Sequence, residues 1–374
     1  MVLLVGNYEL DEQQSMDRFA IMMLAGLTSA GVPAQIIRPP VRFGRSLHRG
    51  ALAKWLGYID KFLLFPRRLR AMARSRATIV HICDHSNAMY AKDAAHKPVV
   101  VTCHDLLAVR GGLGEETDCP ASTTGKFLQR WILSGLRRAS AVACDSRATL
   151  SDAERLVRRG AGKPRLEFIP LGLGYCYRAL AQEEVRSRLA GLAPELMQGE
   201  FVLHVGSNLR RKNREGVLRI FARTAEQWNG RLVFAGDPLT DALRSLAHEL
   251  HIEHRLLEIS RPTNEQLEAL YNRALALVYP SRFEGFGWPI LEAQACGCPV
   301  ICTNAAPMSD VAGEAGLLRE VDDEAGFAAD ILRLTQVEER RAWSARSLAN
   351  AAKFSTATMI EKYCELYRSL GAKC

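Results

Sequence analysis

Short apolar runs rich in β-branched residues alternate with helix-like stretches along this chain. The first half contains MVLLVG, AQIIRP, TIVHIC, PVVVTC, AVACDS and RLEFIPLGL, and the second contains FVLHVG, RLVFAG, RLLEIS, LALVYPS and PVICTN. Helical patterns separate many of these runs, as at Met16–Ala30 and Arg214–Trp228. This alternation is typical of parallel sheets joined by crossover helices. The sequence therefore predicts an α/β fold made of two doubly wound, Rossmann-like domains.

The domain boundary is predicted from length and from a gap in the strand pattern. A chain of 374 residues is long enough for two domains. The stretch between Gly172 and Gly199 has no strand pattern and is the expected hinge. We therefore predict an N-terminal domain over 1–175 and a C-terminal domain over 176–355. The final helical stretch, 356–374, is expected to pack back on the first domain.

Composition narrows the class of protein. No run approaches the roughly 18 apolar residues of a membrane-spanning helix. The start turns acidic after a few apolar residues, unlike a signal peptide. Ten scattered cysteines are typical of free thiols in the cytoplasm. Cys296, Cys298 and Cys302 lack zinc-site spacing, so we predict no metal site.

The net charge of +8 is concentrated in one segment. Residues 42–76 hold ten Lys or Arg and one acid, Asp60. Leu52, Leu56, Ile59 and Leu63 recur there at helical spacing. Such a basic amphipathic helix either binds an anionic membrane surface or lipid phosphate, or packs on its own domain with a solvated basic face. No nucleic-acid motif accompanies the charge, so nucleic acid is not predicted as a partner.

In open α/β domains, ligands bind at the carboxyl ends of the strands. The residues that follow predicted strands are therefore candidates for a site. Gly6 follows the first run, His104 follows PVVVTC, and Gly206 opens the loop GSNLRRKN after FVLHV. Loops that carry glycine, positive charge and carboxylates would meet at an interdomain cleft.

The segment FEGFGWPILEAQACGCP places two glutamates eight positions apart, Glu284 and Glu292. Gly285 and Gly287 permit a tight turn that approaches a ligand closely. Pro289 suits the first position of a helix, whose N-terminal amides, expected near Gly287, Trp288 and Ile290, attract phosphate. Glu284 would accept hydrogen bonds from a sugar, and Glu292 from a ribose diol. The alternative is an ordinary helix acid beside a surface glutamate.

The stretch SRFEGFGWPILEAQACGCPVICTNAAPMSDVAGEAGLL resembles the signature block of retaining glycosyltransferase family 4, including its E-x7-E motif. VGSNLRRKN is similar to the family's phosphate-binding loop, and VTCHD to its histidine segment. The resemblance implies the two-domain GT-B fold. It also implies that Arg211 and Lys212 bind the donor diphosphate and that Glu292 binds the ribose.

By the same resemblance, Glu284 and the amides of Phe286 and Gly287 would hold the donor sugar, and His104 would contact it. Two positions depart from the family: the first loop has only Gly6, and Trp288 replaces a smaller aliphatic residue. The predicted catalytic residues are His104, Glu284, Arg211 and Lys212. The predicted donor-binding residues are Gly6, Gly206, Ser260, Arg261, Phe286, Gly287, Trp288 and Glu292.

Some of these residues also have ordinary structural interpretations. His104 would bond backbone at a strand end, and Arg211 with Lys212 would form a solvated patch. The sequence has no D-x-D pair, so neither a metal nor another cofactor is expected. Arg211, Lys212 and the helix N-terminus would stabilise the leaving diphosphate, with attack on the same face of the sugar.

The resulting hypothesis is a metal-independent retaining hexosyltransferase. It would use GDP-mannose or a UDP-sugar and act on a glycan or a polyprenyl- or lipid-linked acceptor. We expect it in the cytoplasm, and at the inner face of the membrane if the basic helix binds lipid. The alternatives are a nucleotide-sugar epimerase or phosphorylase of the same fold, and a non-catalytic nucleotide-sugar-binding protein.

Overall fold

The computed structural model describes residues 1–11, 13–44, 51–158 and 163–372, without the side chains of 51–54. The chain forms two units. Unit 1 comprises Met1–Gly174 and Ser355–Cys374, and unit 2 comprises Tyr175–Phe354. The chain passes from unit 1 to unit 2 after Gly174 and returns at Ser355, so the last helix belongs to unit 1.

Unit 1 contains a six-stranded parallel sheet in the order β2-β1-β3-β4-β5-β6. The central strands are buried along their whole length, which explains their continuous apolar sequences. Its strands are β1 (Val2–Val5), β2 (Ala34–Ile37), β3 (Ile79–Ile82), β4 (Val99–Cys103), β5 (Ala141–Cys144) and β6 (Arg165–Phe168).

The helices of unit 1 connect these strands. They are α1 (Gln14–Ser29), α2 (Ala51–Ile59), α3 (Phe65–Ser75), α4 (Leu107–Leu113), α5 (Thr123–Arg138), α6 (Arg147–Leu156) and, from the end of the chain, α15 (Thr356–Ser369). A π-helical turn, Asp60–Leu64, joins α2 to α3 just before Pro66. Proline has no N–H to donate to the preceding turn, so the regular pattern of helical hydrogen bonds changes at this point.

The last helix is held on unit 1 by close packing and by a buried polar chain. A Cβ at Gly26 of α1 would lie 2.4 Å from Ile360, so the glycine allows the two helices to approach. His81 contacts Tyr367 Oη at 2.6 Å and Thr102 Oγ1 at 2.7 Å. Thr102 in turn contacts Tyr363 Oη at 2.8 Å. Since these groups are buried, their mutual hydrogen bonds fix the docking of α15.

Unit 2 contains a second six-stranded parallel sheet, in the order β12-β11-β10-β7-β8-β9. The edge strand β12 is absent from the sequence prediction. The strands are β7 (Phe201–Gly206), β8 (Arg231–Gly236), β9 (Leu256–Ser260), β10 (Ala276–Tyr279), β11 (Val300–Thr303) and β12 (Gly316–Arg319).

Helices surround this sheet. They are α7 (Gln182–Leu189), α8 (Arg214–Ala222), α9 (Asp241–Glu249), α10 (Asn264–Arg273), α11 (Trp288–Ala295), α12 (Met308–Ala312), α13 (Glu324–Leu334) and α14 (Val337–Ala351). Helix α8 begins where the sequence predicts but ends before the expected Trp228. Thr224 Oγ1 donates to Phe221 O at 2.7 Å, which favours the tighter turns that follow.

Strand order determines which loops meet within each unit. The chain runs from β7 outward to β8 and β9, whereas β10 pairs on the other side of β7. This reversal is the point where open α/β sheets bind ligands. It brings the loops after β7 and β10 together in unit 2. In unit 1 the same reversal lies between β1 and β3.

Candidate active site

A cationic pair meets a carboxylate at the reversal point of unit 2. Arg211 and Lys212 lie on a short 3-10 turn after β7, and Glu284 lies after β10. Arg211 Nη1 donates to Glu284 Oε2 at 2.6 Å, and Lys212 Nζ donates to Glu284 Oε1 at 2.7 Å. The predicted phosphate-binding pair and the predicted sugar-binding glutamate therefore lie in direct contact.

Tyr279, the last residue of β10, completes this cluster. Its hydroxyl accepts from Lys212 Nζ at 2.6 Å and donates to Glu284 Oε1 at 2.8 Å. Burial raises the pKa of Glu284, but the charges of Lys212 and Arg211 outweigh it and bring the pKa to about 2. Burial lowers the pKa of Lys212, although Glu284 opposes the shift. Arg211 keeps 27% of its side chain exposed, so it is the accessible cation of the cluster.

The glycine turn before α11 is built for a sharp change of direction. Gly287 has φ of 104° and occupies the N-cap position of α11, a conformation that favours glycine. Helix α11 begins at Trp288, so Pro289 is its second residue rather than its first. The Ile290 N–H already donates to Gly287 O at 3.0 Å. The expectation that this amide is available to phosphate is therefore wrong for this conformation.

Glu292 is the fifth residue of α11 and is 2% exposed. Tyr271 of α10 donates its hydroxyl to Glu292 Oε2 at 2.9 Å. Phe286, before the helix, is buried and packs its ring against Phe354 at 6.1 Å. The turn and both glutamates are thus held by aromatic side chains. Their contacts with a sugar or ribose stay predictions.

The loops after β7, β8 and β9 also lie side by side. A Cβ at Gly236, which has φ of 132°, would lie 2.3 Å from Gly206 O, so only glycine fits there. Arg261 N donates to Gly236 O at 3.0 Å, which holds the loop after β9. Ser260 and Arg261 are exposed at this edge. Their position suits a ligand contact, and their predicted role in donor binding stays a prediction.

His104 and Gly6 lie in unit 1. His104 Nδ1 is 2.8 Å from Asp145 Oδ2, and its Nε2 donates to Cys83 O at 3.0 Å. Burial lowers the pKa of His104, but the bond to Asp145 and its charge raise it overall. Both ring nitrogens are engaged inside the unit, as in the structural interpretation of this residue. A hydrogen bond to a sugar would require breaking one of these contacts, and that predicted role stays a prediction.

Gly6 lies directly after β1, beside the side chain of Arg38. A Cβ at this position would lie 3.1 Å from Arg38 Nε. The next residue, Asn7, donates to Asp84 Oδ2 at 2.7 Å across the reversal point between β1 and β3. The first loop is therefore tied to unit 1 by polar side chains that the sequence interpretation did not select.

Two family models match the chain. "Glycosyl transferase 4-like domain" matches residues 16–172, and "Glycosyl transferases group 1" matches residues 194–349. The chain belongs to glycosyltransferase family 4. An O-antigen chain mannosyltransferase B of Escherichia coli is 33% identical over 46% of this chain and 46% of its own length. A D-inositol 3-phosphate glycosyltransferase of Nocardia farcinica is 30% identical over 74% of this chain and 62% of its own.

The chain thus spans about half to two thirds of the length of these two curated relatives. A solved structure, an Anabaena protein in complex with UDP and glucose, superposes with a TM-score of 0.74 and 16% identity. The match covers 98% of this chain and 99% of the other. Together with the two parallel sheets, this likeness shows the two-domain, Rossmann-like GT-B fold.

Sequence reasoning missed three residues that contact the predicted site residues within each unit. They are Tyr279 beside Glu284, Tyr271 beside Glu292, and Asp145 beside His104. Tyr279 and Asp145 each lie at the end of a predicted strand, which is the one signal that would have selected them. Tyr271 lies inside a helix and carries no such signal.

The remaining predictions concern absences. Cys296, Cys298 and Cys302 are buried, and burial raises the pKa of each thiol. Among the residues whose placement the structure describes, no group of three or more His, Cys, Asp or Glu is arranged to hold a metal ion. Within the same residues, no helix has the length and apolar character needed to cross a membrane.

Proposed function

We propose that this chain is a retaining glycosyltransferase that transfers a hexose from a nucleotide-diphosphate sugar to a glycan or lipid-linked acceptor. GDP-mannose and UDP-sugars are the candidate donors. The observation that carries the proposal is the contact of Arg211 and Lys212 with Glu284 at the reversal point of unit 2. The family membership supports the reaction class. The mannosyltransferase and the UDP complex among the similar proteins support the two donor types.

The charges of this cluster suit a leaving diphosphate. Breaking a glycosyl–phosphate bond places negative charge on the departing diphosphate, and fixed cations stabilise that charge in the transition state. Arg211 is accessible, while Lys212 is buried behind it with its ammonium held by Glu284 and Tyr279. Two cations in place supply the charge that a metal ion supplies in other transferases. We therefore propose metal-independent transfer.

Retention of configuration is proposed from the state of Glu284. A double displacement needs a carboxylate free to attack the sugar, whereas Glu284 is bonded to two cations and a phenol. These bonds favour a carboxylate that positions the cations over one that acts as nucleophile. Attack on the same face of the sugar, assisted by the departing phosphate, is the mechanism that this arrangement supports.

A donor screen tests the proposal directly. Thermal unfolding is followed with UDP-sugars and GDP-sugars, and turnover is followed as release of the nucleoside diphosphate. We expect one donor class to raise the melting temperature. Arg211→Ala should lower turnover about 10²–10³-fold, because it removes one stabilising charge from the transition state. Arg223→Ala, an exposed arginine of the same unit paired with Glu324, is the matched control.

The outcomes separate the alternatives. If no nucleotide stabilises the folded protein, the donor site is wrong. Stabilisation without release of nucleoside diphosphate in the presence of glycan and lipid-linked acceptors would indicate a binding protein. Conversion of the sugar without transfer would indicate the epimerase.

We further propose that unit 1 meets an anionic membrane surface through helix α2 and the turn after it. Trp55 is 67% exposed, Leu63 is 51% exposed, and Ile59 lies between them on the same face at helical spacing. Arg67 and Arg68 are exposed just beyond this stripe. Exposed apolar residues next to basic ones suit an interfacial helix.

The acid within the basic segment does not neutralise this surface. Asp60 is buried, accepts from Tyr8 Oη at 2.9 Å, and accepts from the amides of Arg42 at 3.1 Å and Gly44 at 3.0 Å. Its charge therefore fixes the preceding loop. Lys61 and Arg70 are paired with acids outside the segment, and other arginines of the surface remain available for lipid phosphates. Residues 45–50 of the basic segment lie outside the described residues, and so does the side chain of Leu52, the first residue of the predicted stripe.

Vesicle flotation tests the membrane contact. We expect salt-sensitive binding to phosphatidylglycerol vesicles and little binding to neutral ones. Replacing Trp55, Ile59 and Leu63 with serine should abolish flotation. The control variant Ile21→Ser/Val337→Ser removes two exposed apolar residues elsewhere and should still float with the vesicles. Equal binding by the triple variant and the wild type would refute the proposed surface.

A further inference from the structure

Unit 2 has an open depression of about 680 Å³ at the edge of its sheet opposite the candidate active site. It is lined by residues that precede strands: Glu200 before β7, Leu275 before β10 and Pro299 before β11. The amino ends of parallel strands lie at the edge opposite their carboxyl ends. This depression is therefore separate from the cluster around Glu284, and its volume falls within the range of small-molecule sites.

Arginine dominates the charge of this depression. Arg186 of α7, Arg273 of α10, and Arg340 and Arg341 of α14 line it, with Glu200 as the one acid among its lining residues. Arg340 pairs with Glu200, and Arg273 donates to Gly199 O at 2.6 Å. Even with these two contacts, the side chains that line the depression carry a net positive charge. Arginine is the side chain best suited to bind phosphate or carboxylate oxygens.

The two outer arginines are less constrained. Arg186 and Arg341 are exposed, and Arg341 contacts Glu338 at 3.3 Å on the surface. Exposed pairs of this kind contribute little to stability. The side chains of Arg186 and Arg341 are thus free to reorient toward an anion without disturbing the fold.

The depression also has an apolar wall. Leu180, Val185, Met197 and Leu348 line it. Apolar contacts beside convergent polar groups are typical of sites for organic ligands, because the apolar part gains from burial and the polar groups fix its orientation. An organic anion therefore fits this site better than a bare inorganic ion.

Tyr271 connects the depression to the candidate active site. Tyr271 is one of the residues around the depression and is fully buried, and its hydroxyl donates to Glu292 Oε2 at 2.9 Å. Helix α11, which carries Glu292, is followed by Gly297 and Cys298, and these also line the depression. A ligand that shifts α10 or the end of α11 would therefore change the position of Glu292.

We propose that this depression is a regulatory site for a small organic phosphate, and that its occupancy changes donor binding through Tyr271 and Glu292. The ligand class follows from four arginines, one acid and an apolar wall. The proposal that an organic phosphate binds here rests only on the residues that line the depression. Only the coupling to the donor rests on the proposed function.

Calorimetry with fructose 1,6-bisphosphate, glucose 6-phosphate and inorganic pyrophosphate tests the site. Each is titrated into the full chain at up to about 10 mM, where a site with a Kd of about 1 mM is mostly occupied. We expect a sugar phosphate to bind more tightly than pyrophosphate. Arg186→Gln/Arg341→Gln should weaken binding at least about tenfold, because each charged hydrogen bond contributes to affinity. Arg223→Gln/Arg346→Gln removes two exposed arginines that do not line the depression and should bind as the wild type does.

The same titrations distinguish the depression from the donor site. Arg211→Ala should leave sugar-phosphate binding unchanged. Absence of binding by all three probes, or binding that survives Arg186→Gln/Arg341→Gln, would overturn the proposal. Loss of binding in Arg211→Ala would assign the probe to the donor site and would overturn it too.

The coupling between the depression and the donor site is measured separately, by comparing nucleotide affinity with and without the bound sugar phosphate. We expect a change of at least about fivefold, a typical allosteric effect. Tyr271→Phe should keep sugar-phosphate binding but reduce this change. Equal nucleotide affinity in both conditions would refute the coupling. Failure of every nucleotide to bind would refute the donor site instead and leave the calorimetric result standing.

Discussion

The two units place different charge patterns at the same edge of the same kind of sheet. In unit 1, His104 is matched by Asp145, and its second ring nitrogen is bonded to Cys83 O. In unit 2, two cations share one carboxylate, and Arg211 is partly exposed. The charges of a buried ion pair compensate each other. A cluster of two cations and one carboxylate keeps a net positive charge that attracts an anionic ligand.

This difference indicates separate tasks for the two clusters. The cluster of unit 2 suits an anionic ligand that replaces or joins Glu284 as the partner of Arg211. The pair of unit 1 fixes the loop after β4 against the loop after β5. A direct contact of His104 with a ligand stays a prediction.

The largest effect is expected from Lys212→Met, which removes the buried cation and keeps a side chain of similar length. Glu284 would then be buried with one cation fewer. We expect unit 2 to lose on the order of 3–5 kcal/mol of unfolding free energy. Nucleoside diphosphate release should fall about 10²–10³-fold. Urea unfolding and a steady-state release assay measure the two effects.

The double variant Lys212→Met/Glu284→Gln separates stability from catalysis. Removing both charges leaves Arg211 without the Glu284 carboxylate, but its guanidinium is partly exposed to water, so much of the lost stability should return. Turnover should not return, since the charge that stabilises the diphosphate is still absent. Recovery of both would mean that Lys212 is structural and that the comparison between the units fails.

The pH dependence of stability should differ between the units. Glu284 has its pKa lowered from 4.5 to about 2, so its contribution is present above pH 4.5 and is lost as the pH falls toward 2. That contribution is on the order of 3 kcal/mol. In unit 1, burial raises the pKa of Asp145 from 3.8 to about 6, and the pKa of His104 is also raised. Their contributions are present at low pH and are lost as the pH rises through these values.

Urea unfolding read by tryptophan fluorescence measures this contrast. Two reporter variants are needed, one keeping only Trp55 and Trp131 of unit 1, the other keeping only the tryptophans of unit 2, Trp228, Trp288 and Trp343. Between about pH 6 and pH 3 the unit 2 reporter should lose stability relative to the unit 1 reporter. Parallel pH profiles would contradict the assignment of opposite proton linkage.

Asp145→Asn should have a smaller effect than loss of Lys212. His104 can lose its proton and accept a hydrogen bond at Nδ1 from the asparagine amide, so no buried charge is left alone. We expect a loss of about 2 kcal/mol in unit 1, measured by urea unfolding. Asp152→Asn, which removes a surface acid paired with Arg155, is the control and should cost less than about 1 kcal/mol. Equal effects would show that the buried pair does not anchor the sheet edge.

Most of the fold follows from local sequence, and the exceptions have physical causes. The two parallel sheets follow from apolar runs that alternate with helical patterns. Strand β12 was missed because GLLR is short, begins with glycine and buries only Leu317 fully at the sheet edge. The early end of α8 depends on a side-chain bond from Thr224 that spacing does not reveal.

The candidate site was predictable only in part. Glycines, proline and charged residues near one another in sequence indicated the turn before α11 and the pair Arg211 and Lys212. Their partners come from elsewhere in the chain. Tyr279 is 67 positions from Lys212, and Asp145 is 41 positions from His104. Such contacts depend on strand order, which spacing within one segment cannot specify.

The smallest effect, and the finest test of the comparison, is expected from Tyr271→Phe. Unit 2 holds Glu284 with cations but gives Glu292 the neutral hydroxyl of Tyr271. Losing one neutral hydrogen bond costs about 1 kcal/mol, so nucleotide affinity should fall about fivefold, measured by calorimetry. Tyr177→Phe is the control, because its ring packs on Tyr271 while its hydroxyl donates to Asn264 at 3.4 Å. A loss as large as that of Arg211→Ala would mean that Glu292, rather than the cationic cluster, dominates donor binding. No loss would mean that the position of Glu292 does not depend on α10, and the proposed link to the arginine-lined depression would fail with it.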